Sequence, residues 1–343
     1  MLFGSAYYFP SIPIGKYKTL VKEHPEMFFW TEDALYKHPR ILCSYALVGD
    51  ILDLRRVMRI SQDVTVMIDS GGFQYLTSKS VNDPHDVIEY ENRNADIGVC
   101  LDYPPYTDVS KKNVSEFDKC LNLSVQSYRV FLDNRVERIL LYAPIHGIGQ
   151  DSFQKWFDRV REIGDFDGYC FSLSASRGKD IVLEAVKILM RNRVDKNVHF
   201  FIGGELTTYI LVSRLAKVYP GLVSVDMASN ELLGGMSKFM FGFDKALNIG
   251  DKYLNVKPYC GCPFCTSEVV RKCDMDDYRN YYVAMHNVWF MSNKYAFLDS
   301  VSSEDYETLD YLGVDVKYVE KLDALLGGRD VVTLDGVLQW TRL

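Results

Sequence analysis

The sequence lacks a long apolar run, a low-complexity tract and any surplus of positive charge. No stretch approaches the roughly 18 apolar residues of a membrane span, so no membrane partner is expected. The opening residues, MLFGSAYYFPSIPIGKYK, hold no basic segment followed by an apolar core. They do not read as a secretory leader, and an intracellular protein is expected. No Pro/Ser linker and no residue-level repeat marks a boundary between independent units. Lys and Arg number 39 against 46 Asp and Glu, a net charge of −7. That balance gives no global attraction to phosphate, although a local basic groove can sit on an acidic protein. Candidate patches are Lys16, Lys18 and Lys22; Arg55, Arg56 and Arg59; and Arg191, Arg193 and Lys196.

What is present suits a large soluble core. The 343 residues are 48% hydrophobic and 25% charged, enough for one barrel with an appendage. Short apolar runs recur at 41–48, 64–69, 97–102, 139–147, 168–174, 199–204 and 222–227. They are rich in β-branched and aromatic residues and mostly do not alternate, as strands buried on both faces read. Between them lie stretches with helical spacing of apolar residues, such as SFQKWFDRVREIG and DIVLEAVKILMRNR. Strands alternating with helices imply a parallel sheet. An eighth strand is expected near 239–257.

The run ends discriminate between an open sheet and a barrel. Asp69, Asp102, His146, Ser172, Gly203, Gly204 and Asp226 fall at or just beyond the ends of six different runs. In a barrel those ends converge on one face, where active sites are built. The expectation is an α/β fold, a (β/α)8 TIM barrel with a small zinc-binding subdomain. Residues 1–250 would form the barrel with an N-terminal extension, and 251–296 the metal-binding part. Residues 297–343 would be a helical tail packing on the barrel.

The eight cysteines divide into two groups. Cys43, Cys100, Cys120 and Cys170 are scattered in apolar surroundings and read as small buried hydrophobes. The others crowd into 260–273. Cys260, Cys262 and Cys265 bring three thiolates within six residues, which suits a tetrahedral zinc ion. His286 and Cys273 are the two candidates for the fourth ligand. Four ligands close the coordination sphere and make the metal structural; three with a water would make it catalytic.

The hexapeptide DSGGFQ, residues 69–74, follows the second apolar run, which ends in an acid. It is the signature of the tRNA-guanine transglycosylase superfamily, and the chain resembles that family at further points in the same order. LDYPP looks like the second acidic strand end, His146-Gly147 lies where the family has Gln-Gly, and LVSVDMAS looks like the segment with the nucleophilic aspartate. PYCGCPFC with the later MHN is similar to the family's zinc site. The resemblance runs from about residue 41 to 290.

The resemblance implies base exchange by double displacement. It carries over Asp226 as nucleophile, Asp69 as general acid/base and Asp102 as the residue that recognises the purine. Ser70, Gly71, Gly72, Phe73, Gln74, His146, Ser172, Gly203 and Gly204 are the further candidate substrate contacts. Phe73, Tyr75 and Tyr103 are candidate stacking partners. Cys260, Cys262, Cys265 and His286 would hold a structural Zn2+. Relatives are often dimers through the zinc region, so a homodimer or other modification-system partners are implied.

The chain also departs from the family. Ser172-Leu173-Ser174-Ala175 stands for Gly-Gly-Leu-Ala, and Ala228-Ser229-Asn230-Glu231 stands for the basic stretch after the nucleophile. Only about 50 residues follow the zinc helix, against a long RNA-binding extension in archaeal tRNA members. The chain is similar to the divergent branch that inserts 7-deazaguanines such as preQ0 into DNA, found in bacteria and phages. That implies DNA as the polymer and the cytoplasm of a bacterial, archaeal or phage-infected cell, with tRNA as the alternative polymer. A non-catalytic zinc-binding subunit of such an enzyme is the rival from another class.

Overall fold

The computed structural model describes residues 5–72, 82–105, 116–147, 149–172, 178–201, 205–227, 238–241, 245–249, 257–258 and 260–327. Eight strands make one all-parallel sheet. They are β1 (Tyr7–Pro10), β2 (Arg40–Ser44), β3 (Thr65–Asp69), β4 (Ile97–Val99), β5 (Leu140–Ile145), β6 (Gly168–Ser172), β7 (Asn197–Phe201) and β8 (Val223–Met227). Neighbours follow chain order from β2 to β8, and β1 pairs with β8, Tyr7 opposite Ser224 and Pro10 opposite Met227. Just past β1, the Ile12 N–H donates to the Leu42 carbonyl at 3.1 Å and Ser11 bridges Leu42. The sheet thereby closes on itself as a (β/α)8 barrel.

Five long helices form the wall after β3 to β7: α1 (Pro84–Asn94), α2 (Phe117–Asn134), α3 (Gln150–Arg161), α4 (Gly178–Arg191) and α5 (Leu206–Val218). Their apolar residues recur at helical spacing and face the sheet. In α3 the buried set is Phe153, Trp156, Phe157 and Val160. Asp83 caps α1 by accepting from the His85 N–H, and Pro84 supplies the pre-set φ of a first helical residue.

Two expectations change. The eighth strand is Tyr7–Pro10, ahead of all the others, so the leading segment is part of the barrel. The 239–257 region instead opens with an antiparallel pair, β9 (Lys238–Phe241) and β10 (Lys245–Asn248). Pro10 and Pro13 disguised the first strand, because proline cannot donate to a ladder and is found at strand ends or edges. The second change is in the run at 41–48, whose strand stops at Ser44. Tyr45–Val48 is a helical turn, and a short apolar run does not by itself distinguish the two.

After β10 come two short helical turns, Pro263–Thr266 and Glu268–Lys272, then the long α6 (Val283–Val301), α7 (Tyr306–Tyr311) and α8 (Val316–Leu325). A π-helical segment, Tyr278–Tyr282, leads into α6. Tyr295 of α6 stacks on Tyr209 of α5 with ring centroids 4.1 Å apart. α8 packs on α4 and α5.

Strand alternation sorts the barrel into two faces. Outward residues such as Ile41, Val66, Ile68, Leu141, Phe171, Phe200 and Val225 belong to the cores shared with the outer helices. Inward residues Phe9, Leu42, Met67, Val99, Tyr142 and Cys170 form a separate central cluster. Below it, the Arg40 guanidinium lies 4.0 Å from the Tyr7 ring centre. Beyond it, at the C-terminal ends of the strands, the inward face turns polar: Ser44, Asp69, Ser172 and Asp226.

Candidate functional site

Asp69 is the last residue of β3, and the register sets it beside Ser44 of β2 and Val99 of β4. Asp102 follows β4 by three residues, and Asp226 is the penultimate residue of β8. Asp102 and Asp226 are each only 7% exposed. The three carboxylates share one electrostatic neighbourhood. The inward Cys170 thiol is raised well above its ordinary value, first by burial and then by the charges of Asp69, Asp102 and Asp226. Cys170, one of the inward central residues, thus lies within electrostatic range of Asp69, Asp102 and Asp226, and of Glu91 on the helix outside the sheet.

Asp69 is the carboxyl most altered by this setting. Burial and then the charge of Asp102 push its pKa up to about 7, against hydrogen bonds from Gly71 and Ser44. Part of its surface remains open to solvent although the barrel wall surrounds it. A carboxyl poised near neutral pH can give and take a proton under working conditions.

The two glycines after Asp69 have separate reasons. Gly71 has φ +82°, in the left-handed region, and its N–H donates to Asp69 Oδ2 at 3.3 Å. Gly72 is pressed against Asp102: a Cβ there would lie 2.0 Å from Oδ1 and 2.7 Å from the carbonyl oxygen. Ser70 is fully buried, and its hydroxyl donates to the Cys100 carbonyl at 3.2 Å, tying the end of β3 to the end of β4. Phe73, Gln74, Tyr75, Gly203 and Gly204 lie outside the described residues.

His146 follows β5 directly and is 1% exposed. Its Nε2 lies 2.5 Å from Asp102 Oδ2, and its ring meets Trp156 edge-on at 4.9 Å. In this arrangement the imidazole orients the acid. Ser172 ends β6, half-buried and opposite Phe201 of β7. The Tyr103 N–H donates to Ser124 Oγ at 2.9 Å, and its ring packs partly against the main core.

His199 is a site residue that the sequence pattern did not single out. It lies on the inward face of β7, its Nε2 3.8 Å from Asp226 Oδ1. Burial pushes its pKa down to about 3, so the ring is neutral. The available signal was strand alternation, which puts 199 and 201 on the same face.

The second cluster is Cys260, Cys262, Cys265 and His286, whose ligand atoms all lie within 4.8 Å of one another. His286 Nδ1 is 3.4 Å from Cys262 Sγ and 3.6 Å from Cys265 Sγ. Such separations suit ligands around one metal ion at about 2.0–2.3 Å. The Cys265 N–H points at Cys262 Sγ at 3.3 Å, as thiolate ligands on a tight turn require. His286 Nε2 bonds the Met240 carbonyl at 2.9 Å, which puts the proton on Nε2 and frees Nδ1 for a metal. Phe239 stacks on the imidazole at 3.8 Å. Cys273 is outside the cluster, and its thiol donates to the Val270 carbonyl at 3.2 Å.

Asn287, likewise not singled out by the sequence, supports the cluster from behind. It accepts from the Met240 N–H at 3.0 Å and donates to the Lys238 carbonyl at 3.0 Å. Cys262 and Cys265 belong to the core shared with the outward faces of β2 and β3, so this candidate metal site lies outside the barrel lumen. The remaining cysteines of the scattered set, Cys43, Cys100, Cys120 and Cys170, are free and buried, as the sequence suggested.

The three basic patches fall on different ends of the barrel. Arg55 binds Asp96 and the Ser61 and Val64 carbonyls, all ahead of β3 or β4 and so at the N-terminal end. Arg56 and Arg59 pair with Asp53 and Asp33. Lys196 pairs with Asp165 just before β7, again at the N-terminal end. Lys16, Lys18 and Lys22 follow the C-terminal end of β1, and all three are exposed.

The chain matches no protein-family model, and no curated protein matches it significantly. No helix among the described residues is long and apolar enough to cross a membrane.

Proposed function

We propose that the protein is a base-exchange transglycosylase that replaces guanine in a polynucleotide, DNA in preference to tRNA, with a 7-deazaguanine. One observation carries this reading: Asp69, Asp102 and Asp226, remote in sequence, all fall at or just beyond the C-terminal ends of barrel strands, β3, β4 and β8. The resemblance seen in DSGGFQ, LDYPP and LVSVDM gives each of them a task. A non-catalytic subunit would have no need of three converging acids, one of them poised near neutrality.

In the first displacement a carboxylate oxygen of Asp226 attacks C1′ of the sugar. The C1′–N bond breaks, its electron pair goes to guanine, and the Asp69 carboxyl supplies the proton the leaving base needs. In the second, the incoming base loses its N–H proton to Asp69, attacks C1′ and expels the Asp226 carboxylate. Two inversions keep the anomeric configuration, as in retaining glycosidases. Asp102, steadied by His146, accepts hydrogen bonds from the N–H and amino edge of the purine. A buried carboxylate rejects a base without those donors. In duplex DNA the target nucleotide must be flipped out or already unpaired.

The metal is zinc in this reading. The Cys3His donor set is the one zinc prefers, and four protein ligands leave it a structural role. It fixes the chain after β10 against α6 and takes no part in the base exchange.

The deciding experiment incubates purified protein with labelled 7-deazaguanine and, separately, DNA and tRNA, followed by nucleoside analysis. Incorporation into DNA that Asp226→Ala abolishes is the expected result. Incorporation into tRNA alone would move the substrate to tRNA, and no incorporation into either would remove the proposal.

A further inference from the structure

We infer that His199 is a positioning residue for Asp226: a neutral imidazole whose Nε2–H is aimed at Oδ1 of that carboxylate and whose other nitrogen is held by Ser224. The inference rests on the double-displacement reading, in which Asp226 is the nucleophile.

Three inward side chains on two adjacent strands make the unit. β7 and β8 pair in parallel with His199 opposite Ser224 and Phe201 opposite Asp226. His199 Nδ1 lies 2.9 Å from Ser224 Oγ, and Nε2 lies 3.8 Å from Asp226 Oδ1. The ring is fully buried, yet Nε2 has no hydrogen-bond partner among the described residues. A buried nitrogen left in that state is costly, so its placement calls for a reason. Phe9 at 5.9 Å and Phe201 at 4.7 Å hold the ring edge-on and leave it little room to turn away.

The tautomer follows from Asp226. The Ser224 hydroxyl can serve Nδ1 at 2.9 Å either by donating to it or, while donating to the Val198 carbonyl at 3.3 Å, by accepting from it. The carboxylate oxygen 3.8 Å from Nε2 decides between the two, because it favours a proton on the nitrogen that faces it. Nδ1 then accepts from Ser224, and the ring carries its proton on Nε2. The opposite tautomer would direct a lone pair at a carboxylate and leave both groups worse off. Burial excludes the imidazolium at working pH.

The Nε2 to Oδ1 separation is long for a hydrogen bond. Contacts in ligand-free catalytic sites are often long and tighten when the complex forms. When Oδ2 attacks C1′, Oδ1 becomes the carbonyl oxygen of the ester, oriented by Nε2–H. When the C1′–Oδ2 bond breaks, negative charge returns to the carboxylate and the same donor stabilises it. No proton passes through His199. Its effect is on the rate of the displacements, with little on binding of the free base.

The test joins one spectroscopic and one kinetic measurement. Side-chain ¹⁵N NMR of the intact protein should show His199 as the neutral Nε2–H tautomer, with a resonance that moves in Asp226→Asn. His199→Phe keeps the ring shape and removes the donor. It should lower kcat for base exchange by about 10- to 100-fold with KM for the base nearly unchanged. His199→Gln, which restores an N–H near the same place, should recover a large part. A Nδ1–H tautomer, full kcat in His199→Phe, or equal kcat losses in two folded variants would overturn the inference. Should the parent protein exchange no base, the double-displacement reading falls by itself, and the NMR arm still judges the His199–Ser224–Asp226 arrangement.

Discussion

Asp69 concentrates the tension between stability and function in one side chain. Its folded pKa, about 7, lies above the ordinary carboxylate range. Between about pH 4 and pH 7 the folded chain therefore binds more of a proton at this site than the unfolded chain does. Stability from this group is full below the unfolded pKa and is lost as pH rises through 7. Asp69→Asn should consequently melt higher than the parent at pH 8 and level with it at pH 4, while losing base exchange; thermal melts at the two pH values check this. For the parent, exchange should decline above about pH 7, when Asp69 no longer holds the proton owed to the leaving base. Beside it, Gly72→Ala drives a methyl group into the Asp102 carboxylate. We expect KM for the purine to rise by roughly tenfold or more, since a displacement near 1 Å in a site is costly. Steady-state kinetics with graded base concentrations measure it. The acids were legible as strand-end residues; the raised pKa of Asp69 was not, because it depends first on burial inside the barrel and then on Asp102, a neighbour remote along the chain.

At the scale of elements, β9 is the strand that the Cys3His cluster and its neighbour Asn287 hold in place. His286 and Asn287, adjacent on α6, bind the backbone of β9 at Met240 and Lys238. The cysteines supply the other side of the cluster. A metal held by these four residues would couple to the folding of this part. Chelation should lower Tm and expose the Cys260, Cys262 and Cys265 thiols to a thiol reagent, with metal analysis giving about one ion per chain before treatment. Asn287→Ala removes both bonds to β9 and leaves the ligands intact. It should cost about 1–3 kcal/mol in urea unfolding and keep the metal. The cysteine spacing made this group visible in the sequence. The choice between His286 and Cys273 needed the fold, since both are within reach along the chain and only one turns toward the other three.

For the whole molecule, what matters is which end of the barrel does what. Ion pairs such as Arg55–Asp96 and Arg135–Asp167 stitch the N-terminal end, where the strands begin. The acidic residues lie at the other end, and the exposed Lys16, Lys18 and Lys22 follow the C-terminal end of β1. These lysines are the candidate phosphate contacts for the proposed polynucleotide. Replacing all three by Glu should weaken DNA binding and flatten its salt dependence by roughly one unit of slope for each phosphate no longer neutralised. The same change at Arg55 and Arg56 should leave the salt slope unaltered, though it would cost stability. Fluorescence anisotropy over a salt series distinguishes the two ends.

The sequence alone determined the strand–helix alternation, the spacing of the clustered cysteines and the acids at strand ends, because each is written in short-range patterns. It did not determine how the ring closes. The strand that completes it, Tyr7–Pro10, carries a proline at its end, and its place beside β8 pairs the opening of the chain with residues 224–227. Nor did it determine that His199 faces Asp226, or that His146 occupies one oxygen of Asp102. Those facts arise only when parallel strands settle into register, since register decides which inward side chains share a layer and which buried charges feel one another.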